Sequence, residues 1–172
     1  MLEDKICGFN VNEFHLVTMI MPYIYEKVNE EKKISTFFEK DLSNIYEKIV
    51  NVNNLYWKNK EKFNEIDWGK TEIDKLSKKF EKESNIIIVA GSRSFIDRIN
   101  SLVINFHSKF TLVNCFEIDD FNSDLENITK NYNKILCTKG VREIKELYLV
   151  WKIKKYSVLS CYFYWLNWKN SI

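Results

Sequence analysis

Proline and glycine are nearly missing: one proline and four glycines occur in 172 residues. That leaves no room for Pro- or Gly-rich linkers, and the chain holds no repeats or low-complexity tracts. Histidine is as scarce, with only His15 and His107. No HExxH or GxSxG occurs, so zinc-hydrolase and serine-nucleophile chemistry have no motif to rest on. Cys7, Cys115, Cys137 and Cys161 lie far apart, without the CxxC or Cys/His spacing that suits zinc. They fall in strand-like runs and read as buried, reduced thiols that pack as small hydrophobes. No uncharged stretch approaches the ~20 residues of a membrane helix, and the charged start at residues 1–5 precedes no signal-peptide apolar segment. An excess of one charge is lacking too. Lys and Arg number 26 against 24 Asp and Glu, spread so that no one-sided basic face for nucleic acid forms. These absences predict a cytoplasmic protein that binds neither membrane nor nucleic acid and carries no cofactor or metal.

What is present is an alternation of strand and helix periods in a chain long enough to bury a core as one domain. Asn12 is placed to cap a helix whose apolar residues Phe14, Val17, Met21, Ile24 and Val28 recur at three- and four-residue steps, with Pro22 predicting a kink or break near Thr18–Met21. Ile34–Phe38 reads as a strand, Asp41 as the cap of a helix through Ile45 and Ile49, and Leu55–Trp57 as a short strand before an irregular stretch to Gly69. Thr71-Glu72-Ile73-Asp74 resembles a capping box opening a helix with Ile73, Leu76 and Phe80 inward. Ile86–Ala90 is an unbroken apolar run, as in a central parallel strand buried on both faces. A helix beginning at Ser94–Asp97 carries Ile96, Ile99, Val103 and Phe106, and Phe110–Glu117 is the next strand. A helix with Phe121, Leu125, Ile128 and Tyr132 and a strand at Lys134–Thr138 complete the alternation. The fold class expected is α/β: a mainly parallel, doubly wound, RecA- or Rossmann-like sheet with helices on both faces.

Past Gly140, Val141, Ile144, Leu147, Tyr148 and Trp151 suit one more helix, and Tyr156–Trp168 is an aromatic strand. The division is therefore 1–140 as the α/β domain and 141–172 as a helix plus aromatic strand. That tail packs on the domain or serves a protein partner or homodimer through 156–168.

Two cysteine strands, Lys5-Ile6-Cys7-Gly8-Phe9-Asn10 and Thr111–Glu117, frame a resemblance. With Pro22-Tyr23 in the first helix, Glu30–Phe38, Cys115–Leu125 and Lys134–Gly140, the chain resembles the MEDS domain, a sensory module of methanogen and methylotroph regulators related to RecA-type ATPases. The family's opening is approximately His-Ile-Cys-x-x-Tyr, and Lys5 and Asn10 replace its His and Tyr. The resemblance implies a non-enzymatic sensing module acting through a partner. Separately, Ile86–Phe95 resembles the opening of a Rossmann-like family that binds nucleotide-derived ligands, although the second glycine-rich loop of that family is missing.

Gly91-Ser92-Arg93-Ser94 joins a strand to a helix, where backbone N–H groups and the helix dipole favour an anion and Arg93 offers a bidentate contact. No P-loop lysine follows, which excludes the usual grip on β- and γ-phosphates. A helix cap beside an exposed arginine explains the same residues. Glu117, Asp119 and Asp120 end a strand, where open α/β sheets bind ligands, and helix capping accounts for the two aspartates equally well. His15 and His107 read as structural or surface residues.

The expected site takes an unknown small molecule at the strand carboxyl ends through Asn10, Glu39, Gly91, Ser92, Arg93 and Glu117, with Cys7 and Cys115 in its floor. It has no catalytic residue. A nucleotide- or phosphosugar-processing protein using Gly91–Ser94 is the alternative, and a ligand-free interaction protein is the third.

Overall fold

The computed structural model describes residues 2–52, 60–72, 84–103, 109–117 and 129–145. Their elements run β1 (Leu2–Asn10), α1 (Glu13–Asn29), β2 (Ile34–Phe38), α2 (Ser43–Val52), α3 (Lys60–Asn64), β3 (Ile86–Gly91), α4 (Arg93–Val103), β4 (Phe110–Glu117), β5 (Lys134–Cys137) and β6 (Gly140–Glu143). The strands form one sheet ordered β2-β3-β4-β1-β5-β6, parallel from β2 through β5 and closed at one edge by antiparallel β6.

The alternation along β3 shows how the sheet is covered. Ile86, Ile88 and Ala90 join a cluster with α1, α2 and α3, whereas Ile87 and Val89 join a second cluster with Phe95, Ile96, Ile99 and Val103 of α4. Helices therefore lie on both faces, and every residue of β3 is buried. A strand with two covered faces has no use for polar side chains, which is why it reads as one apolar run. Truncating Ile88, fully buried, to alanine would cost about 2–5 kcal/mol in lost burial and cavity formation.

α1 begins where Asn12, in extended conformation, accepts a hydrogen bond from the His15 N–H at 2.8 Å. That satisfies one of the unpaired donors of the first turn. Leu16, Val17, Ile20, Ile24 and Val28 form its buried face. The break expected at Pro22 does not occur: the helix is continuous from Glu13 to Asn29. Pro22 is exposed, so water can reach the carbonyl left without its usual N–H donor, and a bend away from the core costs little packing.

Asp41 accepts from the Ser43 N–H at 2.9 Å and starts α2. In the stretch expected to be irregular, α3 forms a short helix whose Phe63 is buried against Trp68. Trp68 in turn stacks between Phe38 and Tyr46, with centroids 5.7 and 4.7 Å away. Residues 70–71 then pair along the free edge of β2: the Thr71 N–H donates to the Phe38 carbonyl at 2.8 Å, and Thr71 Oγ1 accepts from the Phe38 N–H at 2.9 Å.

The helix expected from Val141 starts later, since residues 144 and 145 are helical. Val141 lies in β6, which turns back on β5 through Thr138 and Lys139, with Gly140 at φ 103° taking a conformation that L-residues avoid. The sheet thus extends past the expected division at residue 140. The strand at Leu55–Trp57, the inward faces at 73–80 and 121–128, Phe106, Asp119, Asp120 and the whole tail from residue 146, including Cys161 and 156–168, lie outside the described residues.

Candidate functional site

Strand order decides where an open α/β sheet presents a ligand site. From β1 the chain leaves through α1 to β2 at one edge, and from β4 it goes to β5 on the other side of β1. The paths diverge at the carboxyl ends of β1 and β4, which is the switch point where open α/β sheets bind ligands. Asn10 and Glu117 are the last residues of these two strands and stand opposite each other in register.

Side-chain direction follows from Gly8. A Cβ on Gly8 would meet Met19 of α1 and the Cys115 thiol, at 3.0 and 3.1 Å, so Gly8 faces α1. Asn10, two residues on, faces the same way. Asn10 is 2% exposed, and its Oδ1 has no hydrogen-bond partner. A buried amide oxygen left unpaired costs about 1–3 kcal/mol, so its persistence at this position requires an explanation.

At its register partner Glu117, the Lys40 ammonium bridges two carboxylates, Glu117 at 2.7 Å and Glu13 at 2.8 Å. The hydrogen bonds it donates to Glu117 and then Glu13 hold the Lys40 ammonium well above the usual lysine range. Lys40 likewise lowers the Glu13 carboxyl below its ordinary value. The bridge ties the first turn of α1, the residues after β2 and the end of β4 together. Beside it, His15 Nδ1 accepts from the Val11 N–H at 3.3 Å, and burial lowers the imidazole's pKa from its ordinary 6.5.

Glu39 faces the other way. Its carboxylate accepts from the Ser92 N–H at 2.5 Å and the Ser92 hydroxyl at 3.0 Å. The start of α4, where a phosphate would dock, already holds the chain's own anion. Gly91, at φ 156°, makes room for it: a Cβ there would stand 2.6 Å from both Glu39 Cβ and Oε2. Arg93 is exposed and pairs along α4 with Asp97 at 3.9 Å.

The expected site residues therefore divide. Asn10 and Glu117 come together on the α1 side, with Cys115 fully buried beside Gly8 beneath them. Glu39, Gly91 and Ser92 come together at α4. Cys7 joins neither group: it packs in the α4-side cluster, and its thiol lies 3.6 Å from the Lys134 carbonyl. Register pairs Cys7 with Asn114 and Cys115 with Gly8, so the two thiols are on opposite faces and do not share a floor. Burial pushes the Cys7 thiol up to about 12 and raises the Cys115 thiol as well.

Lys40 and Glu13 were not among the expected site residues. The rule that ligands bind at strand ends points to residue 40, just past β2, as directly as to Glu39. Among the described residues no group of three or more His, Cys, Asp or Glu is placed to hold a metal, and no helix is long and apolar enough to cross a membrane.

A cleft of about 460 Å³ opens at the opposite, amino ends of the strands, with Asp4, Glu26, Lys27, Glu30 and Lys134 in its lining. These charges are already matched: Lys27 binds Glu26 and Glu30 at 2.7 and 2.9 Å, and Lys134 binds Asp4 at 2.7 Å. Compared with protein-family models, with curated proteins and with solved structures, the chain matches none.

Proposed function

We propose that the protein is a non-enzymatic sensing module that takes a small molecule at the carboxyl ends of β1 and β4 and passes its occupancy to a protein partner. The observation that carries this reading is the Asn10 amide oxygen, buried and unpaired at the switch point. An orphan acceptor costs stability in the ligand-free protein, and a donor group on a ligand would recover that cost. The resemblance of the cysteine strands and of Pro22-Tyr23 to the MEDS sensory family agrees with this role. So does the absence of a phosphate-gripping lysine after Gly91.

The alternative, a nucleotide or phosphosugar held by Gly91–Ser94, meets a physical objection. Glu39 already accepts the Ser92 donors, and a phosphate arriving there would face a carboxylate. Native mass spectrometry of gently purified protein tests the proposal. A small-molecule adduct on the wild type that is lost in Asn10→Leu supports it. An adduct retained in Asn10→Leu, or turnover of nucleotides that depends on Arg93, contradicts it.

A further inference from the structure

The cluster beside Asn10 has a definite chemical preference. Glu13, Glu117 and the Asn10 Oδ1 are all acceptors, and the bridge of two carboxylates and one lysine carries one net negative charge. The positive end of α1 offers an anion little, because the Asn12 side chain caps it and Glu13 supplies a carboxylate in the first turn. A primary ammonium already fits between the carboxylates, since the Lys40 Nζ sits there at 2.7 and 2.8 Å. Its own tether comes from just beyond β2, and its side chain is 50% exposed. The two carboxylates are partly exposed at 35% and 37%, so the position can be reached from solvent.

We propose that Glu13, Glu117 and Asn10 form a receptor for the primary ammonium group of a small ligand, and that Lys40 is the placeholder the ligand displaces. This rests on the strand-end reading above and specifies its ligand class. The incoming ammonium exchanges one charge-assisted pair for another, so the ion pairs nearly cancel. Lys40 Nζ has the same three N–H groups and leaves Asn10 Oδ1 unpaired. The net gain therefore comes from position: an ammonium free of the tether beyond β2 settles nearer β1 and gives its third N–H to Asn10. Displacing Lys40 also removes the ion pairs that tie residue 40 to α1 and β4, which gives a partner two states to distinguish.

Titration calorimetry with n-butylammonium, tetramethylammonium, butyrate, inorganic phosphate and calcium on the wild type, Lys40→Met, Glu117→Gln and Asn10→Leu tests the proposal. Butylammonium is expected to bind the wild type and to bind Lys40→Met about tenfold more tightly, the equivalent of about one lost competing ion pair. Glu117→Gln and Asn10→Leu are expected to lose that binding. Tetramethylammonium, with the charge but no N–H, is expected not to bind. Glu117→Gln changes a partly exposed residue, so it reads the loss even if Asn10→Leu folds poorly. Preference for calcium, or equal binding of both ammonium ions, overturns the ammonium receptor. Binding of butyrate or phosphate that is lost in Asn10→Leu overturns it while leaving a strand-end ligand site standing. Failure of every probe to bind any of the proteins overturns the ammonium receptor, and an Asn10-dependent adduct in native mass spectra then decides separately whether a strand-end site remains.

Discussion

Glu39 closes the amino end of α4 by placing its carboxylate on Ser92, 2.5 Å from the backbone N–H and 3.0 Å from the hydroxyl. β2 is thereby clamped to α4 across β3, and the turn that reads in sequence as a phosphate loop is internally satisfied. Glu39→Ala should cost about 1–3 kcal/mol in equilibrium unfolding, the scale of charge-assisted hydrogen bonds. It should also create what the wild type lacks: phosphate or sulfate should raise the melting temperature of the variant and leave the wild type unchanged. Equal stabilisation of both proteins by phosphate would show that the anion binds elsewhere.

Gly91 makes the same clamp possible. Because a Cβ would stand 2.6 Å from Glu39 Cβ at a backbone φ of 156°, Gly91→Ala should destabilise by about 1–3 kcal/mol through strain and displacement of the carboxylate. In a Glu39→Gly background, which removes both the Cβ and the carboxylate, the penalty should shrink. A double-mutant cycle reads the coupling, and additive losses would show that the two residues act independently.

The thiols should react in an order set by burial. Cys7 and Cys115 are fully buried, whereas Cys137 is partly exposed, with its thiol 3.2 Å from the Gly140 carbonyl. Among these three, alkylation followed by peptide mapping should label Cys137 first and Cys7 and Cys115 only on unfolding, since the thiolate is the reactive form and burial disfavours it. Rapid labelling of Cys115 in the native protein would mean that the floor under Asn10 is open.

Acid should weaken the fold in two stages. Burial lowers the His15 pKa from 6.5, so the unfolded chain binds its proton at a higher pH than the folded one. Stability is full above about 6.5 and falls as pH drops toward the lower folded value. Protonation would also remove the acceptor that the Val11 N–H uses. Glu13, held below its usual 4.5 by Lys40, contributes a later loss as pH falls through its folded value. Denaturation between pH 7 and 5 should show the first decline in the wild type and a flatter profile in His15→Gln. An identical slope in both proteins would remove His15 as the cause.

Much of the fold was legible because it is local. The cap at Asn12, the strand Ile34–Phe38, the run at Ile86–Ala90 and the stripe Ile96-Ile99-Val103 each depend on neighbours a few residues away, and each lies where periodicity puts it. β6 was not legible, because Val141 suits a helical step as well as a strand, and the turn at Gly140 pairs it with Leu136 before the chain turns helical at Ile144. α3 is too short to show a period. At the site, Asn10, Glu39, Ser92 and Glu117 follow from strand ends alone. Their division between two faces follows from register, and the role of Lys40 follows from partners far along the chain, Glu13 and Glu117. None of that is visible from residue spacing.

The most direct test is the thermal unfolding of wild type and Asn10→Leu, each alone and against a small-molecule library. If Asn10 is kept for a ligand, the variant without ligand should be as stable as the wild type or about 1 kcal/mol more stable, because leucine removes an unpaired buried oxygen. At least one amine-bearing compound should stabilise the wild type and leave the variant unmoved. A variant that is markedly less stable in buffer, with no compound telling the two apart, would make Asn10 a structural residue and contradict the account.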